Sequence, residues 1–184
     1  MCASIPTSPA SVSARRALAG HLERLDVELL RSARTLGHTA ERDRAVAAFS
    51  AIGQHAGVWL AMGALASVTT TGRRSRRWQA ATGVVAGAYV LNTAIKFAVG
   101  RQRPQLGDLP PLVATPTRLS FPSAHATSSF AAARAFSRAG APPAPLYALA
   151  ASLAASRVYL GVHYPSDVIA GAVLGSAVGA LAPR

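Results

Sequence analysis

Apolar residues in this chain gather into long stretches instead of alternating or repeating as heptads. Residues 45–71, 78–100 and 144–161 are each long enough to cross a hydrocarbon core of about 30 Å, which takes roughly 17 to 25 helical residues, and 166–182 is a shorter fit at the lower limit. All four are rich in Ala and Gly, which suits close helix packing in lipid. Such helices could also lie buried in a soluble bundle, and it is their length that favours the membrane. Between them the pattern predicts a polar, proline-bearing connection over 101–122 and a helix from Ser123 to Arg138. A break over 141–145 follows, and a last helix has Pro165 in its first turn, where a missing N–H costs no intrahelical bond. The pattern therefore predicts an all-α integral membrane helical bundle.

The amino terminus differs. Residues 1–14 are rich in Ser, Pro and Ala and lack the basic start and apolar run of a cleavable signal, so the reading is a disordered tail over 1–20 followed by a single domain over 21–184. Within 22–36, Leu22, Leu25, Leu29, Ala33 and Leu36 recur at helical spacing opposite Glu23, Arg24, Glu28, Arg31 and Arg34. That amphipathic helix either lies in the membrane interface or packs on the bundle.

Composition agrees, with 51% hydrophobic residues and a mean hydropathy of +0.28 over 184 residues. The net charge of +12 raises the question of nucleic acid, but several arginines, such as Arg73, Arg74, Arg76 and Arg77, fall between apolar stretches, where membrane proteins meet anionic headgroups. No nucleic-acid motif is present, and membrane lipids are the expected partner. Cys2 is the only cysteine, so no internal disulfide or Cys-based metal site can form.

Counting crossings puts the end of the second span, the start of the Ser123 helix, the end of the 144–161 helix and the start of the last helix on one membrane face. Those ends carry Lys96, Arg103, Ser123, His125, Arg157, His163 and Asp167. Lys96 is the only lysine and sits near the end of an apolar helix, where a charge needs a reason. Taken singly, Lys96 could snorkel and Arg103 and Arg157 could be interfacial anchors. Together, three cations beside a helix start at Ser123 make a site for a phosphate dianion, to which Ser123 and the Ala124 backbone N–H contribute. His163 and Asp167 are four apart, so a carboxylate can orient one ring nitrogen while the other attacks phosphorus. His125 can then protonate the leaving oxygen. The neighbouring cations would repel a divalent ion, so neither metal nor cofactor is expected. His21, His38 and His55 read as surface, interfacial or packing residues.

These residues resemble the type 2 phosphatidic acid phosphatase superfamily, which also includes vanadium haloperoxidases. Three separated motifs carry the likeness in order: Lys96 with six residues before Arg103-Pro104, then Pro122-Ser123-Ala124-His125, then Ser156-Arg157 with five residues before His163 and three more before Asp167. The resemblance implies that His163 is the nucleophile of a metal-free lipid phosphatase, Asp167 its orienter and His125 the acid, while Lys96, Arg103, Ser123, Ala124 and Arg157 bind phosphate. Ala124 stands where the motif usually has Gly. The text around the second and third motifs is similar to an actinobacterial branch acting on decaprenylphosphoryl-5-phosphoribose, a precursor of cell-wall arabinan. That implies a multi-pass protein of the plasma membrane with a lipid-linked phosphate substrate. Polyprenyl diphosphates and phosphatidyl lipids are the alternative substrates, and a non-catalytic anion-binding bundle is the rival of another class. The arginine distribution leaves the membrane face of the site open, since 73–77 and 15–44 point to opposite orientations.

Overall fold

The computed structural model describes residues 9–184. The helices are α1 (Pro9–Thr35), α2 (Ala40–Ala51), α3 (Gly57–Thr69), α4 (Gly72–Val99), α5 (Ala124–Arg138), α6 (Pro143–Tyr159) and α7 (Pro165–Gly179), with one 3-10 turn, Gln54–Ala56, between α2 and α3. The architecture is the expected all-α bundle. The 101–122 connection is closed at its base by a single antiparallel bridge between Gln102 and Leu119.

The centre is α5, which packs on α4, α6 and α7. Its sequence is mostly Ala, Ser and Thr, so its small side chains let three neighbours approach at once. The closest approach is to α7, where Gly171, Gly175 and Gly179 form one buried row. A Cβ at Gly175 would lie 2.2 Å from the Thr127 carbonyl oxygen, and one at Gly179 2.6 Å from that of Ala131. Asp167 begins the same row one turn earlier. Beyond α5, Trp59, Trp78, Val85, Phe136 and Leu153 fill a core away from the loop end, with the Trp78 and Phe136 rings 5.0 Å apart.

Outward faces are apolar. Leu65 and Val68 on α3, Val90 and Phe97 on α4, and Ile169 and Val173 on α7 are all exposed, an arrangement suited to hydrocarbon surroundings. Of the predicted spans, 78–100 falls on α4 and its capping Gly100, and the 28 residues of that helix reach about 42 Å at 1.5 Å per residue. The spans at 144–161 and 166–182 correspond to helices of 17 and 15 residues.

The predicted continuous span over 45–71 is corrected to a broken one. The chain bends by 44° between α2 and α3, where His55 (φ 51°) and Ala56 (φ 60°) are left-handed. The bend seats Gly53 against α5, where a Cβ would lie 2.9 Å from His125 Cδ2. It also gives His55 a partner, with Nδ1 2.7 Å from the Tyr89 hydroxyl. His38 likewise bonds Asp43 at 2.8 Å and stacks on Tyr159.

The first helix begins inside the 1–20 segment read as a tail. Helix α1 starts at Pro9, because Pro suits a first helical position and the Ala, Arg and Leu residues that follow favour helix; residues 1–8 lie outside the described residues. This helix combines both readings made for 22–36. Asp26, Leu30 and Arg34 are buried, at the edge where α1 meets α6 and α7, while Leu22, Leu25, Leu29 and Leu36 are exposed.

The glycine row makes a testable demand. Gly175→Ala forces a methyl into the Thr127 carbonyl and is expected to lower stability by on the order of 2 kcal/mol. Gly83→Ala, on α4 with open space around it, is expected to leave stability unchanged or raise it slightly. Thermal unfolding in detergent compares the two; equal midpoints would refute the close-approach account.

Candidate active site

Four helix ends meet at the loop end of the bundle. The last turn of α4 delivers Lys96, buried, whose Nζ donates to the carbonyls of Leu119 at 3.2 Å and Ser120 at 3.0 Å. Gly100, left-handed at φ 69°, closes α4 and turns the chain into Arg101–Arg103. Arg103 is then held by carbonyl acceptors, Nε on Thr117 at 2.8 Å and Nη1 on Val162 at 2.7 Å. On α5, Ser123 is the N-cap, its Oγ a distant 3.5 Å from the Ala126 N–H, and its own N–H donates to the Asp167 carbonyl at 3.0 Å. Arg157, in the last turn of α6, donates from Nη1 to Ser50 Oγ at 2.7 Å.

These ends enclose a pocket of about 140 Å³. Lys96, Arg103, Ala124, His125, Arg157 and His163 all line it, whereas Ser123 and Asp167 stand behind the wall. Six of the eight residues picked out from the sequence therefore face one cavity, and the other two support it. The mouth is completed by the bend residues Gln54 and His55 and by Tyr89, Thr93 and Phe97 on α4.

Hydrogen bonding assigns the histidine protons. Arg103 Nη1 lies 3.1 Å from His163 Nε2, and a guanidinium only donates, so Nε2 is the bare nitrogen with its lone pair toward the pocket. The proton is then on Nδ1, which faces Asp167 Oδ2 at 3.5 Å. That separation exceeds a hydrogen bond, and Nδ1 has no other partner. Burial pushes the His163 imidazole down to about 3, with Arg103 and Lys96 adding to the effect and the Asp167 carboxylate opposing it. His163 is therefore neutral at pH 7, the form whose lone pair can act as a nucleophile. His125 is the complement: its Nε2 lies 3.1 Å from the Ser50 carbonyl, which can only accept, so Nε2 carries hydrogen and Nδ1 is the nitrogen left for proton exchange.

Asp167, fully buried, receives the Tyr164 N–H on Oδ2 at 2.9 Å as the third residue of α7. Its Oδ1 receives Arg101 Nη1 at 2.8 Å. Arg101 also bonds Asp26 Oδ2 at 2.8 Å and lies 4.2 Å over the Tyr164 ring. Burial opposes its charge, but the carboxylates of Asp26 and Asp167 outweigh burial and push its pKa up.

Three residues of this arrangement escape the sequence reading. Ser50 is one: its carbonyl holds His125, and its hydroxyl accepts from Arg157 and, at 3.0 Å, from Ser156. Nothing in the sequence marks it, since it sits inside an apolar run. Arg101 was masked by Arg103 in the same loop. Asp26 reads as one more polar position of an amphipathic helix, and its only signal is the i, i+4, i+8 spacing with Leu30 and Arg34.

Comparison with known proteins gives a consistent result. Residues 77–184 match the family model of the PAP2 superfamily. The chain is 44% identical over 132 residues to the decaprenylphosphoryl-5-phosphoribose phosphatase of Mycobacterium tuberculosis, covering 72% of this chain and 73% of that one. It is also 44% identical over 127 residues to the protein of that name from Mycolicibacterium smegmatis, covering 67% and 68%. Among solved structures it is similar to Aquifex aeolicus LpxE, with a TM-score of 0.73 and 25% identity over 86% of this chain and 94% of that one. A transmembrane PAP2 type phosphatidylglycerolphosphate phosphatase from Bacillus subtilis shares the fold, with a TM-score of 0.72 and 22% identity over 88% and 84%. Motif order, the bundle and the matched 77–184 segment agree, and the chain belongs to the PAP2 superfamily.

Proposed function

We propose that this chain is a metal-independent lipid phosphate phosphatase that works through a phosphohistidine, with a polyprenyl-linked phosphosugar of the decaprenylphosphoryl-5-phosphoribose type as substrate. The observation that carries the reading is the His163 Nε2 lone pair, aimed into a pocket with Lys96, Arg103 and Arg157 on its walls and a carboxylate behind the ring.

The substrate phosphate enters among the three cations, which are held mainly by neutral carbonyls and a hydroxyl, so their charge stays available to a dianion. Arg103 shifts from Nε2 to a phosphate oxygen. His163 Nε2 then bonds to phosphorus as the phosphorus–oxygen bond to the leaving group breaks, and His125, which the bound phosphate dianion beside it holds in the protonated form, gives its Nδ1 proton to that oxygen. Positive charge developing on His163 is met by Asp167. In the second step His125 takes a proton from water, the water oxygen bonds to phosphorus, and the phosphorus–nitrogen bond breaks to release inorganic phosphate and restore His163.

A lipid substrate is supported by the position of the mouth. Phe97 lines it and is 66% exposed on the outward face of α4, so a tail lying in the bilayer can reach the pocket sideways. The name shared by the mycobacterial relatives supports the phosphosugar. The outward apolar faces support a multi-pass protein of the plasma membrane, with 21–184 acting as one catalytic domain.

In detergent with EDTA, phosphate release is expected from decaprenylphosphoryl-5-phosphoribose ahead of a polyprenyl diphosphate and phosphatidic acid, and His163→Ala is expected to lose at least 10³-fold in rate. Preference for another lipid would move the substrate assignment. Equal release by the mutant would end the mechanism, and no release from any lipid would favour an anion-binding bundle.

Nitrogen-15 spectra of histidine-labelled protein test the protonation state. The signal lost in His163→Ala is expected to keep its neutral form from pH 8 to pH 5, because its pKa lies near 3. The unfolded chain takes up that proton near the ordinary value of about 6.5. Acidification between these two values therefore favours unfolding. Titration of the His163 signal above pH 6 would contradict the buried, neutral nucleophile.

A further inference from the structure

We propose that Asp26, on α1 and outside the pocket, is a positioning residue for the reaction, acting through Arg101 on the Asp167 carboxylate and so on His163; this rests on the phosphohistidine reading above. The groups form a row of alternating charge. Asp26 Oδ2 is 2.8 Å from Arg101 Nη2, Arg101 Nη1 is 2.8 Å from Asp167 Oδ1, and Asp167 Oδ2 is 3.5 Å from His163 Nδ1. Asp26 is 5% exposed and also binds the start of α7, accepting the Ser166 N–H at 2.9 Å and the Ser166 hydroxyl.

What Asp26 does follows from sharing. Arg101 has one positive charge and two carboxylates. With Asp26 in place, Asp167 is only partly neutralised and keeps negative charge for the imidazole when His163 becomes cationic on bonding to phosphorus. Without the Asp26 charge, the guanidinium belongs to Asp167 alone and can close on it in bidentate fashion, drawing the carboxylate from Nδ1 and opposing the cationic ring. Asp26 does not line the pocket, so substrate binding should be untouched.

Asp26→Asn keeps an oxygen for Ser166 and removes the charge. Expected is a fall in kcat of about tenfold, the equivalent of one unit of His163 basicity, with KM within about twofold and an unchanged thermal midpoint in detergent. In an Arg101→Gln background the same change is expected to cost less than about twofold, since the route is already cut. The His163 nitrogen-15 signal is expected to move in Asp26→Asn and to stay put when the change is made in the Arg101→Gln protein. Unchanged kcat and an unmoved signal in Asp26→Asn, or full and additive losses in the double variant, would overturn the proposal. If Asp26→Asn fails to fold, Asp26→Glu, which keeps the charge, is expected to hold kcat within about threefold of wild type, and a folded Glu variant slowed about tenfold or more would overturn the proposal. An inactive wild type whose His163 signal still responds to Asp26 would instead fail the phosphatase reading and leave the coupling of Asp26 to His163 standing.

Discussion

Asp167 is a carboxylate without solvent access, and a charge so placed persists only if surrounding groups replace its hydration. Three groups face the carboxylate, and a fourth fixes its backbone. The start of its own helix supplies the Tyr164 N–H, the α4–α5 connection supplies Arg101, the 160–164 turn brings His163, and the Ser123 N–H ties the Asp167 backbone to α5. Because α7 reaches α5 only along its glycine row, the packing that allows two backbones to touch also sets where the carboxylate stands.

The pocket uses the opposite arrangement. Among the described residues, the carboxylates that form ion pairs do so with Arg31, His38, Arg101 and His163, and none of them pairs with Lys96, Arg103 or Arg157. Carbonyl and hydroxyl oxygens fix those three cations without neutralising them. A site built in this way is preorganised for an anion and loses little on receiving one, since the donors already point inward and no ion pair has to be broken. The exception is Arg103, which rests on His163 Nε2, a partner that a phosphate oxygen can replace.

Helix α1 joins the outer surface of the bundle to the candidate site. Its leucine stripe faces outward, and its buried edge of Asp26, Leu30 and Arg34 reaches the α4–α5 connection and the turns on either side of His163. Arg34 donates to the Pro110 carbonyl at 2.8 Å and fits against Gly161, where a Cβ would lie 2.9 Å from its Nε. The amphipathic pattern shows the leucine stripe plainly and conceals that Asp26 and Arg34 are buried while Glu23, Arg24, Glu28 and Arg31 stay exposed.

Much of the molecule was legible in the sequence because helix length and hydropathy report on lipid, and because chemical roles demand particular residue types. The apolar stretches, the lone Lys96 at a helix end, the His163–Asp167 spacing and the Ser123 helix start each mean something locally, and counting helix ends was enough to gather them. The break at Gly53–Ala56 was not legible, since Gly, His and Ala are tolerated in a continuous helix and only contact with His125 decides otherwise. Ser50, Arg101 and Asp26 stayed hidden for a related reason. Their partners are 65 to 140 residues away, and hydrogen bonds over such separations leave no periodicity in a chain. The sequence by itself determined the fold class and the candidate site residues, whose chemistry is a property of each side chain; only the tertiary structure decided which nitrogen bears a proton, which cation is left unpaired and what surrounds His163, because those depend on distances between helices.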